Sequence, residues 1–202
     1  MGMVSEYRDF IELMDLKGRY KNMPRNWDQV SFAVKRFGHG ICCLIIMATI
    51  QANCDFDYMT EPEYAQQPFW IRWLYPTLFL QFTINILAVG FIWQEANMIA
   101  TGHGYHPKTE QVKEVTFNNE RAMHYFDFQL GYNNAQMACT WNISVYLWCK
   151  NYVFLRWLDK SKAKNVVQFL PILVTYLSNS IMHGPDLGFL IFFLIFALLD
   201  VQ

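Results

Sequence analysis

The sequence is poor in charged residues and has no run of basic side chains. Only 16% of its 202 residues are Asp, Glu, Lys or Arg, and the formal net charge is -1. Soluble chains have about 25% charged residues. A protein that binds a nucleic-acid backbone needs clustered Lys and Arg side chains. The composition therefore gives no indication of a nucleic-acid partner.

Sequence signatures of several other protein classes are also missing. The five cysteines form no C-x-x-C pair, which argues against a zinc site or a disulfide framework. No G-x-S-x-G turn, P-loop or paired-carboxylate motif is present. Residues 1–36 are polar and mixed in charge, unlike a signal peptide. We expect no metal and no bound cofactor, with membrane insertion directed by an internal apolar segment or by an earlier part of the chain.

Long apolar blocks are the main feature that is present. The longest, residues 73–93, has no formal charge and a Trp at each end. About 20 apolar residues cross a bilayer, and Trp favours its two edges, so this block is predicted to span the membrane, with Pro76 kinking it or starting it afresh. The predicted membrane segments are about 37–54, 69–95, 165–183 and 187–202. The last is too short to span before the sequence ends, so we expect a fragment of a longer protein.

Residues 136–158 carry apolar side chains at helical spacing between the second and third membrane segments. This stripe predicts an amphipathic helix that lies on the membrane surface or dips into it. The distribution of Lys and Arg predicts that residues 1–37 and 94–165 face the cytosol and residues 54–68 the lumen. The chain is thus expected to be all-α and integral to the membrane, with a single multi-helix domain over residues 1–202.

Two polar sites are candidates for chemistry. Thr175, Asn179 and His183 form a stripe at i, i+4 and i+8 on the third membrane segment, and such a stripe must face protein or water rather than lipid. It predicts either interhelical hydrogen bonds or a catalytic histidine. Asn142 is either a helix N-cap or a carboxamide that orients a reacting group in a site shared with His183.

Other polar residues are weaker candidates for a functional site. Glu95 follows the apolar block and is either a surface carboxylate or a substrate contact. His39 lies between glycines and is expected to have a structural or interfacial role. His103 and His106 lack the three or four convergent ligands that zinc needs, and His124 is expected to be solvated in a polar loop.

The two candidate sites carry a family resemblance. Trp141-Asn142, followed by Trp148 and by Asn151-Tyr152-Val153-Phe154, resembles the W-N-x-x-x-x-x-W-x-x-x-Y-V/I-F/Y segment of the membrane-bound O-acyltransferase (MBOAT) family. His183-Gly184 resembles the S-A-x-W-H-G segment of that family. Residues 69–75 and 93–105 are similar to motifs of its lysophospholipid acyltransferase branch. The sequence departs from the family pattern at Met182, where an aromatic residue is usual, and at Asp186, which adds a charge.

The resemblance implies a partial MBOAT core, with the amphipathic helix preceding the helix of the catalytic histidine. It implies a multi-pass protein of the endoplasmic reticulum that transfers a long-chain acyl group from acyl-CoA to a lysophospholipid in phospholipid remodelling. His183 and Asn142 would be the catalytic residues, and the substrate-binding residues stay unspecified. Two alternatives stay open: a protein O-acyltransferase of the Porcupine type, and a non-catalytic truncated membrane protein.

Overall fold

In the described residues the regular structure is helical, apart from an isolated β-bridge residue at His106. The computed structural model describes residues 4–24, 27–107, 117, 121–160 and 169–199, and these contain no β-strand. The all-α class is therefore confirmed. The α-helices are α1 (Tyr7–Met14), α2 (Trp27–Asn53), α3 (Pro62–Ala65), α4 (Phe69–Thr101), α5 (Tyr125–Gln129), α6 (Asn134–Thr140), α7 (Ile143–Trp148), α8 (Leu155–Lys160), α9 (Phe169–His183) and α10 (Leu187–Leu199). A π-helical segment, Cys149–Phe154, joins α7 to α8, and Gly18–Asn22 and Asp57–Thr60 are 3-10 helices.

The chain divides into two compact units, and the single multi-helix domain stays a prediction. The hairpin unit is Leu16–Asn119, and the C-terminal unit combines Met1–Asp15 with Glu120–Gln202. The first residues join the C-terminal unit through specific hydrogen bonds. The backbone N–H of Val4 donates to Ser144 Oγ at 3.1 Å, and the Tyr152 hydroxyl donates to Glu6 Oε1 at 3.3 Å.

Two helices of the hairpin unit are long and apolar enough to cross a bilayer. These are the 25-residue stretch Gln29–Asn53 of α2 and the 33 residues of α4, and a crossing needs about 20 residues. They contain most of the first predicted membrane segment and all of the second, but α2 begins well before residue 37 and α4 continues past residue 95. Pro76 lies inside α4, which continues through it. The expectation that Pro76 starts a new helix is therefore wrong.

Helices α2 and α4 pack as an antiparallel pair. The Gln29 side-chain amide donates to the backbone oxygens of Ile99 and Ala100 at 2.9 and 2.8 Å. About two turns further along α2, the Phe37 ring stacks on Trp93 with centroids 5.0 Å apart, and the Trp93 indole N–H donates to the Phe37 carbonyl. Residue numbers increase along α2 as those of their partners decrease along α4. Residues 29 and 99–100 therefore lie at the same end of the hairpin.

A buried ion pair joins the two long helices. Arg36 Nε lies 2.6 Å from Glu95 Oε1, and the Glu95 side chain is fully buried. Arg36 also donates from Nη1 to His39 Nδ1 at 3.3 Å. A charged group removed from water needs a paired partner, and Arg36 supplies it. The interpretation of Glu95 as a surface carboxylate is therefore wrong, because α2 covers this face of α4.

The helices of the C-terminal unit are shorter. The region predicted as one amphipathic helix, residues 136–158, is divided among α6, α7, the π-helical segment and α8. Helices α9 and α10 have 15 and 13 residues and pack on each other, with the Tyr176 ring 6.2 Å from Phe193 and 6.4 Å from Phe196. The predicted segments 165–183 and 187–202 extend beyond them onto residues outside the described part of the chain.

The packing of α2 on α4 predicts opposite effects for two glycines of α2. A Cβ on Gly40 would collide with the Trp93 indole, which the Phe37 ring holds in place, whereas a Cβ on Gly38 would meet nothing within 4 Å. We expect Gly40→Ala to destabilise the protein by about 1–3 kcal/mol, as overpacking does.

The matched control is Gly38→Ala, which should be neutral or stabilising by up to about 1 kcal/mol, because Ala has the higher helix propensity. Thermal unfolding in detergent, followed by tryptophan fluorescence, measures both. Equal melting temperatures for the two variants would contradict the close approach of α2 and α4 at Gly40.

Candidate active site

The C-terminal unit interrupts its helices at Trp141-Asn142. Helix α6 ends at Thr140, Trp141 is extended (φ -102°, ψ 129°), and Asn142 is left-handed with φ 43° and ψ 57° before α7 begins. The left-handed region costs most L-residues about 1–2 kcal/mol, and Asn is among the few that visit it routinely. The apolar spacing predicted one continuous helix here, and that prediction is wrong because this turn redirects the chain.

A neighbouring segment without regular secondary structure, residues 121–124, holds the interruption in place. The Ile143 N–H donates to the Ala122 carbonyl at 2.8 Å, and the His124 N–H donates to the Thr140 carbonyl at 2.9 Å. These two bonds flank Trp141-Asn142. Ala122 is fully buried and Met123 nearly so. We call residues 121–124 the clamp segment. Sequence reasoning missed it, because no periodicity or motif marks it.

Side chains reinforce the clamp segment. Arg121 Nη1 lies 2.8 Å from His124 Nδ1 and donates to it, and His124 Nδ1 lies 3.9 Å from an Asp127 carboxylate oxygen. The Trp141 ring packs on Phe128 of α5 at a centroid distance of 4.6 Å. His124 is thus part of the packing around the turn, while 38% of its side chain stays exposed.

The Asn142 carboxamide is enclosed but makes no helix cap. The residue is 8% exposed, and its Oδ1 is buried without a hydrogen-bond partner among the described residues. Asn142 occupies the N-cap position of α7, but its side chain makes no bond to the first turn, so the predicted capping hydrogen bond is wrong. Leaving a buried acceptor unsatisfied costs about 1–3 kcal/mol, and such groups are rare in native proteins.

The π-helical segment follows α7 and carries the rest of this motif. π-turns inside α-helices occur frequently at functional sites, and this one contains Asn151-Tyr152-Val153-Phe154. Its first residue, Cys149, is buried, and burial raises the pKa of the thiol to about 11. Cys149 is therefore a thiol near neutral pH. A nucleophilic cysteine needs the thiolate, so Cys149 is not suited to form a covalent acyl intermediate.

Helix α9 packs against the π-helical segment and carries the predicted polar stripe. The Thr175 hydroxyl donates to the Pro171 carbonyl at 2.7 Å, and the neighbouring Ser178 hydroxyl donates to Val174 at 2.8 Å. The Thr175 bond stays within its own helix and does not join two helices. Asn179 differs, because its Oδ1 is buried without a partner in the described part of the chain.

His183 is the last residue of α9, and α10 supports its ring. Gly184 ends the helix with φ 113°, a conformation that Gly adopts without a steric penalty. The imidazole packs against Phe189 and Phe193, with ring centroids 4.9 and 5.3 Å away. The residue is otherwise exposed, and the structure records no hydrogen bond to either ring nitrogen among the residues it describes.

Asp186 is the N-cap of α10. One of its carboxylate oxygens, Oδ1, accepts hydrogen bonds from the N–H groups of Gly188 at 2.8 Å and Phe189 at 3.3 Å. An N-cap side chain stabilises a helix by about 1 kcal/mol. This departure from the family pattern therefore has a local structural role: it fixes the start of the helix that supports the His183 ring.

Asn142 and His183 belong to the same compact unit. Helix α9 contacts the π-helical segment that continues the helix of Asn142. Their convergence on one internal cavity stays a prediction, and His183 is exposed on this chain. Within the described ranges, no group of three or more His, Cys, Asp or Glu side chains could hold a metal ion.

Comparison with known proteins agrees with these motifs. The model of the membrane-bound O-acyltransferase family matches residues 2–202. The chain is 23% identical over 206 residues to Lysophospholipid acyltransferase 2 of Arabidopsis thaliana, an alignment that covers 98% of this chain and 43% of that protein. It is 24% identical over 182 residues to human Lysophospholipid acyltransferase 5, covering 90% of this chain and 35% of that one.

The chain spans less than half the length of these relatives. The Lysophospholipid acyltransferase of Schizosaccharomyces pombe gives a similar result, with 24% identity over 80% of this chain and 31% of the yeast protein. Because the family model matches nearly every residue, the chain belongs to the membrane-bound O-acyltransferase family.

Proposed function

We propose that this chain supplies the reacting side chains of an enzyme that transfers a long-chain acyl group from acyl-CoA to the free hydroxyl of a lysophospholipid. The family match over residues 2–202 and relatives named lysophospholipid acyltransferases support an acyltransferase. The structural observation that carries the proposal is the Asn142 carboxamide, a buried acceptor without a partner among the described residues, on a turn held by two backbone bonds.

His183 acts as the general base in this proposal. A neutral imidazole takes the proton of the lysophospholipid hydroxyl while the hydroxyl oxygen attacks the thioester carbonyl carbon. The tetrahedral intermediate then breaks its C–S bond, and the imidazolium returns the proton to the departing CoA thiolate. The reference pKa of imidazole, about 6.5, suits both proton transfers near neutral pH. The packing of the ring on Phe189 and Phe193 limits its rotation and leaves its other side accessible.

Asn142 orients a reacting group or stabilises developing charge. Its amide N–H groups can donate to an oxyanion, and its Oδ1 can accept a hydrogen bond from a substrate donor other than the attacking hydroxyl, whose one proton goes to His183. A donor that is already held where negative charge develops needs no reorganisation during the reaction. The turn at Asn142 meets this condition, because the Ile143–Ala122 and His124–Thr140 bonds fix the backbone on both sides.

A membrane setting suits both substrates. Each carries an acyl chain, and the lysophospholipid resides in the bilayer. Helices α2 and α4 have the length and composition to cross it. We propose a multi-pass protein of the endoplasmic reticulum membrane that takes part in phospholipid remodelling.

Two alternatives remain to be separated from this proposal. A Porcupine-type enzyme would acylate a protein hydroxyl, and the names of the relatives favour a lipid acceptor instead. Met182, the charge at Asp186 and the short span of the chain favour a non-catalytic membrane protein, although the Asp186 carboxylate also has a structural role as the cap of α10. The test is acylation by microsomes that express the full reading frame. Labelled acyl-CoA is offered with a panel of lysophospholipids and, separately, with a serine-containing acceptor peptide.

Removing the proposed base predicts a large loss of turnover without unfolding. His183→Ala should lower acyl transfer about 10²–10⁴-fold, the contribution expected of a general base. If the side chain only joined helices, its removal would cost about 0.6 kcal/mol of stability and would leave turnover nearly unchanged. The measurement is turnover per amount of detergent-stable protein.

His39→Ala is the matched control, since His39 is exposed and lies in the hairpin unit. It should keep near wild-type turnover. A His183→Ala protein that retains more than about a tenth of wild-type turnover would contradict the role of a base.

Substitutions of Asn142 can separate its chemistry from its backbone conformation. Asn142→Gly removes the carboxamide but tolerates φ 43°, so we expect a folded protein whose turnover falls strongly while KM for acyl-CoA changes little. Asn142→Ala removes the same group and adds about 1–2 kcal/mol of left-handed strain. It should therefore be as inactive and less stable.

Steady-state kinetics and thermal unfolding of the two variants distinguish the role of the carboxamide from that of the backbone conformation. Wild-type turnover in Asn142→Gly would exclude the carboxamide from the reaction. Equal stability of the Gly and Ala variants would argue against the left-handed turn.

A further inference from the structure

Buried carboxamide oxygens without partners occur twice in the described part of the C-terminal unit. One belongs to Asn142, which the proposed function already uses, and the other is Oδ1 of Asn179. The Thr175 and Ser178 hydroxyls on the same helix donate to backbone carbonyls of α9. Of Thr175, Ser178 and Asn179, only Asn179 has a buried acceptor atom without a hydrogen-bond partner among the described residues. Its unmet acceptor needs an explanation.

The position of Asn179 relative to His183 offers an explanation for the unpaired Asn179 oxygen. The two residues are four apart on α9, so they lie on one face with their Cβ atoms about 5–6 Å apart. Helical side chains lean towards the N-terminus of their helix, and the His183 side chain therefore leans back over the turn that carries Asn179. The Nδ1 atom is bonded to Cγ, closer to the backbone than Nε2, and is therefore the nitrogen that a hydrogen bond to Asn179 would use.

A histidine base also needs a partner for its second nitrogen. One ring nitrogen must be a free acceptor that receives the proton, while the other carries a proton and is held by an acceptor that sets the tautomer. The groups that pack on the His183 ring, Phe189 and Phe193, offer no such acceptor. Asp186 Oδ1 already accepts two N–H groups of α10, and the described residues show no hydrogen bond or ion pair between Asp186 and His183.

We propose that Asn179 is a positioning residue whose Oδ1 accepts a hydrogen bond from Nδ1–H of His183 and so presents the Nε2 lone pair to the acceptor hydroxyl. The inference rests on the proposed function of His183. The structure records no hydrogen bond between the two side chains among the described residues, and catalytic hydrogen bonds commonly tighten only once substrate is bound. When Nε2 takes the proton of the hydroxyl, Asn179 Oδ1 stabilises the resulting imidazolium through Nδ1–H.

The test uses the full-length protein in microsomes, with Asn179→Leu as the main variant. Leu is similar in size and removes the unsatisfied oxygen, so stability should be unchanged or higher. Turnover should nevertheless fall about 10–100-fold, as seen when the outer partners of metal-bound histidines are removed. KM for acyl-CoA and for lysophospholipid should stay within about twofold, because the bond acts on proton transfer. Asn179→Ala tests the same loss if the Leu variant fails to fold.

Two further variants complete the experiment. Asn179→Asp keeps an acceptor oxygen in either protonation state and should recover much of the turnover lost in Asn179→Leu. Ser178→Ala is the matched control, since its hydroxyl bonds only within α9, and it should keep wild-type kinetics.

A double-mutant cycle separates this inference from the proposed function. In a His183→Ala background, Asn179→Leu should cause no further loss, because the base that it positions is absent. Wild-type turnover in Asn179→Leu, or a full additional loss on top of His183→Ala, would overturn the role of Asn179. An active His183→Ala protein would instead overturn the proposed function itself.

Discussion

Two backbone hydrogen bonds, from Ile143 to Ala122 and from His124 to Thr140, determine where Asn142 lies. Without them, nothing local would prevent the apolar spacing of residues 136–158 from continuing as one helix. With them, α6 stops at Thr140 and Asn142 takes a left-handed conformation. The geometry of the candidate site depends on this constraint, since it turns the carboxamide away from the helix N-terminus and into the protein.

The C-terminal unit supports the two predicted catalytic residues in different ways. Asn142 is buried and its backbone is held on both sides, whereas His183 stands at the end of a helix and is exposed. The support for His183 comes from α10, whose first turns provide Phe189 and Phe193. Asp186 caps that helix, so a charge that departs from the family pattern contributes to the placement of the ring.

The hairpin unit illustrates how an apolar helix pair accommodates charge. Glu95 is fully buried in α4, and Arg36 of α2 approaches it to 2.6 Å. The Gly40 contact with Trp93 allows the helices to come close, and the Phe37 ring stacks on the same indole. Polar pairing and small-residue packing therefore act together along one interface, as is common where helices associate in lipid.

The sequence by itself was enough to predict the helical class, the two long apolar helices and the residue types at the candidate site. Hydropathy and block length report directly on burial in lipid, and the W-N and H-G motifs are local in sequence. Asn142, Asn179 and His183 could be named on that basis, although interhelical bonding and a catalytic role could not be distinguished. The family comparison then agreed with the motifs over residues 2–202.

Only the tertiary structure decided the features that depend on distant residues. The interruption at Asn142 arises from a segment some twenty residues earlier in the sequence, and periodicity carries no information about such a contact. The burial of Glu95 depends on Arg36, which lies 59 positions away. Likewise, the unmet acceptors of Asn142 and Asn179 became visible only when the donors of the described residues were in place. Local spacing determines which side chains share a helix face. The packing between helices determines which of their polar atoms lack a hydrogen-bond partner within the described protein.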